Sequence, residues 1–187
     1  MPTTNLMTPF GTDIDLAEGA MNDPDRHLIR RPSDMKGYYQ DEDALQKLID
    51  DGDAVHYEVF EKDVPEKYGH VLFCISSLQP GRVGDECFMT KGHYHTILET
   101  AEVYLCLRGT GFMAMKSPDG RSVLEPMTRN RLVYVPPCWA HRSINTGDEP
   151  LVSFCAYQGD AGHNYGDIAE QGFPQRVFIR DGKTVIQ

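Results

Sequence analysis

From residue 54 onward the chain breaks into short apolar runs separated by turn residues, and that cadence limits the folds open to it. The runs are AVHYEVFE (54–61), HVLFCISSL (70–78), ECFMT (86–90), EVYLCLRG (102–109), GFMAMKS (111–117), RLVYVPP (131–137), HRSINTG (141–147), LVSFCAYQ (151–158) and RVFIRDGKTVI (176–186). Pro80-Gly81, Ser117-Pro118-Asp119-Gly120, Thr146-Gly147-Asp148 and Asp181-Gly182 stand between them, where hairpins need residues that accept turn dihedrals. Many short strands with little helix predict an all-β antiparallel architecture, with the double-sheet jelly roll as the natural candidate.

The first 53 residues have a different texture. PFGTDIDL and NDPDRHLIRRPSDMKGYY are punctuated by Pro and Gly and hold no period, which predicts an irregular N-terminal arm with short strand pieces. Arg30 and Arg31 in it could line a site, but read most simply as solvated surface cations. Only DEDALQKLID, residues 41–50, reads as a helix. Acidic residues fill its first turn, Ala44, Leu45, Leu48 and Ile49 make an apolar stripe, and Gly52 can end it. The expected organisation is an arm and helix (1–53) packed on a β-barrel (54–187), in one structural domain.

Charge and cysteine usage narrow the function classes. A net charge of −10 leaves no basic stripe for nucleic acid. No stretch approaches the roughly 20 apolar residues of a membrane span, and the N-terminus has neither the basic nor the apolar segment of a secretory leader. The five cysteines, 74, 87, 106, 138 and 155, are scattered, odd in number and mostly inside apolar runs, and none forms a C-x-x-C pair. Reduced core thiols in a cytoplasmic protein are therefore expected, with no disulfide framework and no thiolate zinc site.

The chemistry concentrates in TKGHYHTILETAEVYLCLRG, residues 90–109. In an extended strand alternate side chains share a face, so His93 and His95 point the same way and can meet one ion. Two carboxylates follow, Glu99 and Glu102. Glu102 opens the next β-run, on the face continued by Tyr104 and Cys106, whereas Glu99 falls in the connection; Glu102 is the expected ligand. A further imidazole should return from a distant strand, and His141 after YVPPCWA is the best placed. Imidazole with carboxylate suits a first-row divalent ion such as iron, zinc, manganese or nickel.

These residues resemble the two cupin motifs, G-x5-H-x-H-x3,4-E-x6-G and G-x5-P-x-G-x2-H-x3-N. The chain keeps H-x-H, E-x6-G and the Pro136, His141, Asn145 spacing. It lengthens the gap before Glu102, and it places Cys87, Asn130 and Cys138 where the motifs have glycine. With TKGHYH, AEVYLCLRGTG, YVPPCWAHRSINTGDEP and DAGHNYGDIAEQGF it is similar to the cupin-type phosphoglucose isomerases, the metal-dependent kind known from archaea and some bacteria. The resemblance runs from RRPSDMKGYY to the C-terminal strand.

It implies a cupin double-stranded β-helix and an isomerase interconverting glucose 6-phosphate and fructose 6-phosphate. It implies a homodimer with one divalent ion per subunit, Fe2+ first among the candidates, held by His93, His95, Glu102 and His141. It further implies that Ser76, Thr90, Gly92 and Tyr165 hold the phosphate, and that Tyr57, Tyr104 and His163 line the sugar, with Glu102, Tyr104 and His163 closest to the chemistry. Lys91 is set aside, since along a strand it alternates with Thr90 and Gly92. A cupin dioxygenase using the same ligands, or a non-catalytic sugar-phosphate-binding module, are the competing readings.

Overall fold

The computed structural model describes residues 6–187; residues 1–5 of the expected arm lie outside the described residues. The arm contributes a short hairpin, β1 (Ile14–Asp15) and β2 (Ala20–Met21), and a longer strand, β3 (Arg26–Arg30). A 3-10 turn at Pro32–Met35 leads to helix α1 (Glu42–Asp50). Asp41 caps α1 by accepting a 2.8 Å hydrogen bond from the Ala44 amide, and buried Leu45 anchors its apolar stripe. Next come β4 (Tyr57–Glu61), β5 (Val71–Leu78), β6 (Arg82–Val83) and β7 (Glu86–Cys87). The sequence then supplies β8 (Glu102–Arg108), β9 (Thr110–Lys116), β10 (Ser122–Thr128), β11 (Leu132–Val135), β12 (Ala140–Asn145) and β13 (Leu151–Gln158). Helix α2 (Gly166–Gln171) and the hairpin β14 (Val177–Arg180), β15 (Lys183–Ile186) complete the order. No helix among the described residues is long and apolar enough to cross a membrane.

All the pairings are antiparallel. A six-stranded sheet runs β11-β8-β13-β5-β4-β3; facing it are a three-stranded sheet, β10-β9-β12, and a four-stranded one, β15-β14-β7-β6. A bridge between Met89 and Ile144 joins the last two into one wall. This is the cupin double-stranded β-helix. The continuously apolar β11, LVYV, shows how the pleat sorts residues: Leu132 and Tyr134 are exposed while Val133 and Val135 are buried. Inside, Leu78, Met113, Met127, Ile144 and Leu151 are fully buried between the walls. Each such side chain contributes about 1.5–3 kcal/mol of hydrophobic stabilisation.

Three features depart from the sequence-based expectation. Strand β10 lies where no run was assigned, and Pro126 stands within it. It is an edge strand, bonded only to β9, so the missing N–H costs no ladder bond. Helix α2 is too short to show a period. ECFMT is strand only at Glu86–Cys87 and continues as an irregular ribbon through isolated bridges at Met89, His93 and Tyr94. Conversely, Asp181-Gly182 does close the last hairpin, with φ of 51° and 70°, the left-handed pair of a type I′ turn.

His56 shows that not every histidine belongs to a site. It is fully buried, its Nε2 lies 2.9 Å from the Tyr39 hydroxyl and 3.1 Å from the Met89 carbonyl, and its ring packs on Phe88. Burial lowers its pKa to about 4. The unfolded chain therefore takes up a proton below about pH 6.5 that the fold refuses until about pH 4, so stability falls as pH drops through that window. Roughly 2 kcal/mol should be lost from this source between pH 7 and pH 5, and His56→Gln should remove that part of the slope. Urea unfolding midpoints of both proteins at the two pH values measure it; equal slopes would take His56 out of the account.

Candidate metal centre and active site

The two histidine-bearing segments meet through their backbones. His93 N–H donates to the His141 carbonyl at 3.2 Å and His141 N–H to the His93 carbonyl at 3.1 Å. Side chains of an antiparallel pair share a face, so the rings come together, with centroids 4.5 Å apart. His95, two residues on, joins them at 5.4 Å from His141. Glu102 reaches the same point from the start of β8, whose inner face it shares with Tyr104 and Cys106. Glu99 sits exposed in the turn between. One ligand atom each from His93, His95, Glu102 and His141 falls within a 4.8 Å cluster.

Hydrogen bonds to the far ring nitrogens dictate what the cluster presents. Thr100 donates its hydroxyl proton to the Ile97 carbonyl at 2.6 Å, so at 2.8 Å from His95 Nδ1 it can only accept. Nδ1 of His95 therefore carries the proton, and Nε2 turns a lone pair inward. His141 Nδ1 lies 3.4 Å from the Trp139 carbonyl, the same arrangement at longer range. His95 Nε2 and His141 Nε2 then stand 3.1 and 3.0 Å from Glu102 Oε2, lone pair against lone pair. His93 Nε2 is buried with no partner at all. Converging, buried, acceptor-only atoms are unfavourable unless a cation lies among them, and three imidazoles with one carboxylate are the donor set of a first-row divalent ion.

The electrostatics agree. Burial pushes the Glu102 carboxyl up, but a proton shared with His141 and His95 outweighs that and holds it well below the usual carboxylate range, the effect a cation among these atoms would also have. Burial, reinforced by the neighbouring His141 and His163, keeps His93 well below 6.5 and hence neutral. A neutral imidazole and an ionised carboxylate are the ligating forms.

Above the cluster lies a pocket lined by Tyr57, Ser76, Thr90, Gly92, His93, Glu102, Tyr104, His163 and Tyr165, all of them singled out in the sequence, whereas His95 and His141 sit behind it. Ladders across the six-stranded sheet place them. Val59 pairs with Ser76, and Glu61, Cys74, Cys155 and Tyr104 form one row, with Tyr157 opposite Glu102 beside it. The far wall is the 163–165 segment, tied down by the Tyr94–Asn164 bridge, which sets His163 edge-on to the His93 ring at 4.4 Å between centroids.

Gly92 turns the ribbon with φ of 76°, and a Cβ there would come within 3.0 Å of the His141 carbonyl. That turn breaks the alternation on which Lys91 was expected to point away: Lys91 lines the pocket too. Tyr157 and Glu61 were also missed. Tyr157 was legible as the inward partner of Cys155 in LVSFCAYQ; Thr100 carries no sequence signal.

Fold and cluster together define a cupin with a site fitted to a metal ion. The chain matches the glucose-6-phosphate isomerase (GPI) family over residues 29–187, and it belongs to that family. It is 46% identical to a glucose-6-phosphate isomerase of Thermococcus litoralis over 179 residues, 96% of this chain and 94% of that one. It is 44% identical to the Pyrococcus horikoshii enzyme of the same name over 178 residues, 95% and 94% of the two chains. A solved oxalate oxidase structure aligns with 60% of this chain and 56% of its own, at 16% identity and a TM-score of 0.49.

If the cluster holds an ion, adding Co2+ or Fe2+ to chelator-stripped protein at about 100 times Kd should add about 2.7 kcal/mol of stability. For a chain of this size that raises Tm by roughly 5–10 °C. His141→Ala should abolish most of the rise, and a wild-type Tm indifferent to every divalent ion would reject the site.

Proposed function

We propose that the chain interconverts glucose 6-phosphate and fructose 6-phosphate by hydrogen transfer between C1 and C2, with His93, His95, Glu102 and His141 holding one divalent ion. The observation that carries the reading is the pocket itself. The buried His–Glu cluster and a row of hydroxyls open into one cavity, in a chain of the glucose-6-phosphate isomerase family. A bound ion there supplies Lewis-acid polarisation of the sugar's C1 and C2 oxygens.

The chain's own residues do the rest. Ser76, Thr90 and Tyr165 offer hydroxyls to the phosphate, and Gly92 offers an unhindered amide. Thr90 is set in place by the Ser143 amide, which donates to its hydroxyl at 3.1 Å. Burial raises the pKa of Tyr57 to about 12 and that of Tyr104 well above 10, the latter helped by Glu102 alongside. Both phenols therefore stay protonated and serve as donors to sugar oxygens.

Burial lowers the pKa of His163, so it faces the sugar as a neutral imidazole able to accept a proton. Glu102 and His163 are the groups placed to carry the proton between C2 and C1. Deuterium from solvent in the product is the expected signature of that route; complete retention of the substrate hydrogen would assign direct carbon-to-carbon transfer.

Fe2+ is the proposed resident ion, with Zn2+, Mn2+ and Ni2+ compatible with the same donors. Sparse, unpaired cysteines fit a reducing cytoplasm. Leu132 and Tyr134, exposed on edge strand β11, offer apolar surface to a second copy in a homodimer.

Purified protein should turn over fructose 6-phosphate, lose that activity on chelation and regain it with added ion. No turnover in the fully metal-loaded protein would reject the reading, and oxygen uptake with another substrate would favour a dioxygenase. Thr90→Val should raise KM roughly five- to tenfold with little change in kcat, as the loss of a contact made equally in ground and transition states. An unchanged KM would remove Thr90 from the phosphate contacts.

A further inference from the structure

The pocket wall formed by β4 has a neighbour that the hydroxyl row does not include. Strand β3 pairs with β4 so that Arg30 lies opposite Tyr57, Leu28 opposite Val59 and Arg26 opposite Glu61. Directly opposed residues in an antiparallel pair project from the same face. Tyr57, Val59 and Glu61 all line the pocket, so Arg26 and Arg30 stand on the pocket side of the sheet, at its two ends.

The two arginines differ in how they are satisfied. Arg26 is saturated by carboxylates, with Glu66 at 2.7 Å and Glu61 at 3.4 Å. Arg30 has no ion-pair partner among the described residues; it meets the hydroxyl of the opposing Tyr57, but its Nε is buried without a hydrogen-bond partner. A guanidinium left short of acceptors in a half-buried position is costly unless an anion completes it.

A second cation faces the same space. Lys91 lines the pocket beside Thr90 and Gly92, half-buried and unpaired with any carboxylate among the described residues, its Nζ 5.5 Å above the Tyr38 ring. Arg30 acts on it through space, so the two cations lie within electrostatic reach of each other, and Asp34 is the carboxylate that opposes them from outside ion-pair distance. The corner that carries Lys91 is held from behind, where Arg142 Nη2 donates to its carbonyl at 2.9 Å.

Two like charges gathered at one end of a pocket, in a chain of net charge −10, repel unless an anion sits between them. The opposite end carries Glu61 and Glu102, which would repel that anion. The polarity points one way.

We infer that Arg30 and Lys91 form the cationic end of the pocket and bind the phosphate dianion of the substrate, selecting phosphorylated over free sugars. This rests on the isomerase reading for the identity of the sugar, but not for the anion. Arg30→Met and Lys91→Met should each raise KM for fructose 6-phosphate about tenfold and weaken competition by inorganic phosphate in proportion. The fall in kcat should be less than about twofold, and Arg30→Lys should recover part of the loss.

Thermal melts establish that the variants are folded, and Arg31→Met, on the exposed neighbour, serves as the control. Wild-type KM and phosphate inhibition in both folded variants would overturn the proposal. So would a loss confined to kcat. Calorimetric binding of inorganic phosphate to the metal-loaded protein separates the two readings. If wild type binds it about tenfold tighter than the variants yet turns over no sugar phosphate, the isomerase reading fails and the cation pair stands. If turnover is normal and phosphate binds all three proteins equally, the cation pair fails alone.

Discussion

The reciprocal hydrogen bonds between His93 and His141 are the joint on which the site depends. They are ordinary backbone bonds, yet they bring together two segments nearly fifty residues apart and set their imidazoles on one face. His95 then follows from strand alternation and Glu102 from the first inward position of β8. The cluster needs no further long-range coincidence. What it does need is freedom for the ribbon to approach β12 closely, and Gly92 provides it, since any Cβ there would press on the His141 carbonyl and the Phe173 ring.

The six-stranded sheet acts as a rack for the rest. Because antiparallel register is exact in steps of one residue, Tyr57, Ser76, Tyr104 and Tyr157 arrive at the pocket as inward positions of four different strands. A slip of one residue in any strand would turn its contribution outward and put a neighbour such as Val103 or Ile75 in its place. The apolar core beneath, with Leu78, Leu151 and Met113 fully buried, penalises that slip heavily. Hydrophobic register and site geometry are thus enforced by the same pleat.

Where local chemistry determines conformation, the sequence was readable. Asp41 and the stripe of α1, the Asp181-Gly182 turn, the inward face of EVYLC and the H-x-H pair all express rules that act within a few residues. What was not readable depended on neighbours distant in the chain. Strand β10 went unassigned, and it carries Pro126, which only its edge position makes harmless. Lys91 was assigned by alternation, which a positive φ at Gly92 cancels. Arg30 looked like one of two surface arginines until the pairing of β3 with β4 separated it from exposed Arg31.

The departures from the cupin motifs carry a related lesson. Asn130 and Cys138 occupy motif glycine positions, and both keep φ of 68°, the left-handed conformation that glycine would take without strain. At these two positions, unlike at Cys87 in β7, the motif encodes a backbone shape, and glycine is only its cheapest realisation. Asn adopts that shape readily. Cys138 does not, yet its amide donates to the Leu98 carbonyl at 2.7 Å, fastening the loop before β12 to the connection that ends at Glu102. The same two stretches bear His141 and, through Thr100, the support of His95. A conformational cost of about 1 kcal/mol at Cys138 is therefore tolerated where the loops that position two imidazoles are tied to each other.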